Sequence, residues 1–126
     1  MIQEDYVSFE ISKLLKKKGF DVKCEYCYAE FNKDDIEVIG LSPAKCAQSL
    51  KEDRYPYITL QMAMKWLREV HMLHIWIGHA AGEGLPWYYE IHGISDGKVK
   101  HIGGIECGSY EVACESAIKY CLENLI

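Results

Sequence analysis

The side chains with the most capacity for chemistry in this sequence are five histidines and six cysteines. Three histidines, His71, His74 and His79, crowd the stretch TLQMAMKWLREVHMLHIWIGHA at residues 59–80. A zinc site needs three or four ligands converging on one point with lone pairs free. This trio lacks the i,i+4 helical spacing of an HExxH site. From Leu73 onward the apolar period becomes two, so in a regular strand His74 and His79 project to opposite faces. No metal ligand is assigned.

The cysteines offer less. CEYC at residues 24–27 has the count of half a zinc knuckle or a redox pair. It lies in an alternating stretch that puts Cys24 and Cys27 on opposite faces, and no second CxxC exists. Cys114 and Cys121 fall on the apolar side of a helical pattern, where packing explains them. Cys107 is the thiol expected to be exposed, yet no motif activates it. The glycines form no phosphate-binding loop, and no serine stands in a nucleophile elbow. No catalytic residue and no cofactor are assigned.

A more promising constellation comes from strand parity. If Leu73, Ile75 and Ile77 face a core, a plain hairpin with WYYEIH sets Trp87, Tyr89 and Ile91 beside them. His74, Trp76, Tyr88, Glu90 and His92 then share the other face. Two histidines, a carboxylate and two large aromatics on one surface suit contact with a protein or ligand, and Glu90 beside a histidine suits acid–base work.

The elements that must position these residues can be read in turn. Asp5 is expected to cap a first helix with Val7, Ile11, Leu14 and Leu15 on one stripe. Lys16, Lys17 and Lys18 close it against the helix dipole, and Gly19 stops it. DVKCEYCYAEF alternates, with Val22, Cys24, Tyr26 and Tyr28 on one face, and IEVIG is a second strand after the NKDD turn. SPAKCAQSLKE opens with Ser42 and Pro43, a helix-start signal, and DRYPYI breaks it. Thr59 is expected to cap a helix with Leu60, Ala63, Leu67 and Val70 as its stripe, Met64 beside it. Two strands and a tight turn at SDGK lead to VKHIGG, a third strand. Ser109 caps the last helix, which buries Ala113, Cys114, Ala117, Cys121 and Leu125. The order α-β-β-α-α-β-β-β-α lacks a βαβ rhythm and predicts an α+β fold, an antiparallel sheet with helices packed on it.

Bulk properties set the outer bounds. A chain of 126 residues with 49% hydrophobic composition is expected to form one domain, residues 1–126, with a weak two-half organisation at 1–55 and 56–126. The net charge of −5 is spread along the chain, which argues against phosphate-driven nucleic-acid binding. The terminal α-β-β-β-α order matches double-stranded RNA-binding domains in topology alone. Their last helix opens with lysines, where this one offers Glu111 and Glu115. No stretch reaches the ~20 apolar residues of a membrane span, and the polar opening reads as no signal peptide. The expected location is cytoplasmic, with reduced thiols.

The helix TLQMAMKWLREVH, the C-terminal SYEVACESAIKYCLENLI and the opening MIQEDYVSFEISKLLKKKGF together resemble a group of short uncharacterised proteins of Bacteroides-type gut bacteria and their phages and mobile elements. The matched segments are structural helices, so the resemblance implies a small accessory protein and supplies no catalytic residue. The resulting expectation is a non-enzymatic protein-interaction module with a protein partner or a homodimer, and neither nucleic acid nor membrane. The alternative is a small-molecule or metal-binding domain, an enzyme included, using the His/Glu/aromatic face.

Overall fold

The computed structural model describes residues 2–41, 53–80 and 86–126, with backbone alone at 105 and 106. Its fold is α+β, with all strand pairing antiparallel. Among the described residues the strands form two three-stranded sheets, and the chain divides into two compact units, Met1–Thr59 and Leu60–Ile126. The helix expected over 42–52 lies outside the described residues. No helix among the described residues is long and apolar enough to cross a membrane.

In the first unit, α1 spans Phe9–Lys17. Its cap is Ser8, whose hydroxyl accepts from the Ile11 amide at 3.2 Å. Asp5 does not cap it, because Tyr6 and Val7 are extended first: Tyr6 bridges Thr59, and the Val7 amide donates to Ile58 at 2.9 Å. The end is as the sequence predicts. Gly19 takes φ +92°, and the Phe20 amide folds back to the Leu15 carbonyl. A glycine is favoured there because a side chain at positive φ costs energy.

Strand β1 (Tyr26–Asn32) is the centre of the order β2-β1-β3, flanked by β2 (Asp35–Gly40) and the short β3 (Arg54–Pro56). The expected common face of Val22, Cys24, Tyr26 and Tyr28 does not hold here, for Cys24 is buried. Cys27 and Ala29 are fully buried, whereas Tyr26 and Val22 are exposed. The cause is that β1 begins at Tyr26, so Cys24 lies before the regular strand and its parity does not carry through. Cys24 and Cys27 are both buried.

In the second unit, α2 (Leu60–Val70) runs almost directly into β4 (Leu73–His79). Met72 makes the joint at φ +56°, a left-handed residue that ends the helix where a glycine usually would. Leu60, Ala63, Met64, Trp66 and Leu67 are buried, while Val70 is 58% exposed. The stripe therefore stops at Leu67, as the chain is already turning toward the strand. Burying Leu67 and its neighbours contributes about 1.5–3 kcal/mol for each large side chain.

Strands β5 (Trp87–Gly93) and β6 (Val99–Cys107) complete the order β4-β5-β6. The Asp96 carboxylate orders their turn, accepting from the Lys98 amide at 2.9 Å and the Lys100 ammonium at 2.6 Å. Those donors, Lys100 first, hold its acidity above that of an ordinary aspartate. Helix α3 (Tyr110–Tyr120) is capped by Ser109, as expected, and continues as a π-helical turn, Cys121–Leu125. The wider turn rotates Leu122 into the core in place of the expected Leu125.

Candidate functional site

The β4–β5 register settles where the five expected site residues stand. His74 lies opposite His92, Trp76 opposite Glu90, and Gly78 opposite Tyr88. Directly opposed residues share a face, and so do residues two apart. His74, Trp76, Tyr88, Glu90 and His92 are therefore gathered on one side of the sheet. On β6, Ile102 pairs with Glu90 and Val99 with His92, which adds two aliphatics to the same side.

The other side is the core. Leu73, Ile75, Tyr89 and Ile91 are buried there. Helix α3 seats against it, with Tyr110 on Trp87, Tyr120 stacked on His101 at 3.7 Å, and Ser116 beside Cys107. That seat buries Cys107, the thiol expected to be exposed. Burial likewise pushes the Cys121 thiol up to about 12, so it is no nucleophile near neutral pH.

With the helix on the inner side, the site face stays open. Trp76 is 45% exposed, Val99 52% and Ile102 57%. Trp76 meets Tyr88 edge to face, ring centroids 5.6 Å apart. Gly78 makes the Tyr88 position available: a Cβ there would lie 2.5 Å from Tyr88 Cζ. The ring thus lies flat over the strand where the small residue leaves room. Between these apolar groups, on the central strand, His92 Nε2 is 3.3 Å from Glu90 Oε2, both side chains partly solvated. The arrangement is an imidazole–carboxylate pair on the central strand, with Trp76 on one side of Glu90, Ile102 on the other and Val99 beside His92.

The histidine trio does not converge. His74 opens onto the site face, whereas His79 lies on the other side against Trp87, 4.6 Å between centroids. His71 follows the end of α2 and packs edge-on against Trp66 at 4.6 Å. Its Nε2 is buried without a hydrogen-bond partner, and burial lowers its pKa from the usual 6.5. Among the described residues no group of three or more His, Cys, Asp or Glu side chains has the arrangement to hold a metal ion.

Sequence reasoning missed a second aromatic surface, on the first unit. Tyr26 pairs in line with Tyr57, and Tyr28 with Tyr55, which places all four on one side of β1 and β3. Tyr57 stacks on Tyr6 at 4.2 Å and meets Tyr28 edge-on at 5.0 Å. Phe9 of α1 packs edge-on against Tyr28 and Tyr55, and the Tyr28 hydroxyl donates to the Val7 carbonyl at 2.6 Å. The signal was present as YCY and YPY, tyrosines two apart in extended stretches. Comparison with protein-family models, curated proteins and solved structures finds no match for this chain.

Proposed function

We propose that the protein is a small non-enzymatic interaction module of accessory or mobile-element type, and that the open face of the β4-β5-β6 sheet is its protein contact surface. The observation that carries this reading is the row Trp76, Tyr88, Val99 and Ile102 on a face from which α3 is turned away. Exposed aromatic and aliphatic side chains are what the centre of an interface uses, and here they flank the Glu90–His92 pair. Glu90, His74 and His92 supply polar groups that fix the orientation of a partner without dominating its affinity.

The test is site-specific photo-crosslinking in the native host, with a photoreactive phenylalanine analogue at Trp76 or Ile102. Val112 on α3, similarly exposed at 46%, is the control position. The module reading expects one discrete protein adduct from the two sheet positions and none from Val112. Equal adduct patterns at all three positions would remove its support.

A second reading rests on the Glu90–His92 contact of 3.3 Å, with His74 directly across from His92. Such a pair can bind a small polar ligand or relay a proton. A ligand that copurifies in stoichiometric amount, and is lost on Glu90→Gln, would favour this reading over the first.

A further inference from the structure

The two edges of the first sheet are finished differently. The alternation of backbone bonds shows which groups point outward. Leu41 donates to Glu25, so residues 41, 39 and 37 face β1. Tyr57 donates to Tyr26 and Glu30 to Asp53, so 53, 55 and 57 face β1 from the other side. On β3 the outward carbonyls are those of Arg54 and Pro56. Both are taken: Lys16 Nζ donates to Arg54 O at 2.7 Å, and the buried Ser12 hydroxyl donates to Pro56 O. Pro56 itself has no outward N–H to leave unpaired.

Among the described residues, the β2 edge has none of these devices. Ile36, Val38 and Gly40 direct their amides and carbonyls outward along DIEVIG, which holds neither proline nor lysine, and the register shift in its pairing falls on β1, between Glu30 and Asn32. Natural sheets ordinarily blunt such an edge. The side chains beside it are exposed aliphatics, Ile36 at 38% and Val38 at 44%, with Tyr26 at 48% in the same patch.

We propose that β2 is a self-association seam, on which a second copy of this chain pairs antiparallel about a twofold axis at Val38. The register follows from charge and shape. Centred on Glu37, the pairing would set Glu37 directly against the partner's Glu37, a like-charge opposition that sheets avoid. Centred on Val38, Glu37 falls opposite Ile39 and Asp35 opposite Leu41, so no acid faces an acid. Ile36 then falls opposite Gly40, and the Tyr26 ring lies over Gly40, 3.7 Å from where a Cβ would stand. Each Ile36 therefore enters the space that the other copy's Gly40 leaves beside an exposed tyrosine ring. Because Tyr28 pairs with Val38, a continuous row Tyr28–Val38–Val38–Tyr28 crosses the axis. Residues 36, 38 and 40 all gain backbone partners, and two sheets merge into one without edges at the join. A one-strand seam is small beside the ~800 Å² per partner of a standard interface, so the dimer is expected to depend on concentration.

Sedimentation equilibrium of the whole chain from about 1 to 500 µM tests this by mass action. The wild type is expected to pass from monomer to dimer in that range. Val38→Lys, at an exposed position, should weaken association roughly tenfold or more by opposing like charges, and mixing it with Val38→Glu should restore a heterodimer. Amide hydrogen exchange of the wild type gives a readout that needs no variant. The amides of 36, 38 and 40 should become protected as concentration rises. A wild type that stays monomeric, association unaltered by Val38→Lys, or exchange at 36, 38 and 40 independent of concentration would each overturn the seam.

Discussion

His71 shows how a single side chain can be decided by its surroundings. It entered as a candidate ligand, and the fold gives it a packing role against Trp66 with Nε2 enclosed and unpartnered. An unsatisfied buried polar atom costs about 1–3 kcal/mol, and its proton affinity is lowered by burial. A depressed folded-state pKa means that the unfolded chain binds a proton more readily below pH 6.5. The stability associated with neutral His71 is thus present above that pH and is lost as pH falls from there through the lower folded-state value. His71→Phe keeps the edge contact and removes the titration. Its stability advantage over the wild type, measured by urea unfolding, should widen from pH 7.5 to pH 5. A constant or shrinking gap would show that His71 finds a partner in solution.

Among elements, α1 matters most for what it does to the sheet beside it. Ser12 and Lys16, one helical turn apart, finish the β3 edge by taking its outward carbonyls. Ser12→Ala is expected to cost about 1–3 kcal/mol, because the Pro56 carbonyl stays buried without a donor. Val112→Ala on α3, where the side chain is exposed, should change stability by less than about 0.5 kcal/mol. Equal effects from the two substitutions in chemical denaturation would refute the edge role. The amphipathic period of this helix was readable, since Ile11 and Leu15 repeat at i,i+4 and Gly19 stops it. Its cap was misplaced, because the Tyr6–Val7 pairing with residues 58 and 59 is long-range and leaves no local trace. Strand β3 was missed for the same reason. Three residues around a proline carry no period, and only their pairing with β1 makes them a strand.

At the scale of the whole molecule, local periodicity carried far where elements are long and regular. The α+β class, the α2-to-β4 change of period and the parity of the β4–β5 hairpin all follow from spacing alone. That parity placed His74, Trp76, Tyr88, Glu90 and His92 on one face, and the register pairs them there. The openness of that face could not be read from the sequence, since it depends on which side α3 takes. The division of the strands between two sheets was equally hidden, because it depends on pairings distant along the chain. The central claim is that the Trp76 face is covered by a protein in the cell. Hydroxyl-radical footprinting read by mass spectrometry tests it most directly, comparing the purified chain with the chain inside its host. Trp76 should oxidise readily when purified and several-fold more slowly in the cell, with buried Trp66, only 4% exposed, slow in both. Equal reactivity of Trp76 in the two settings would contradict the account.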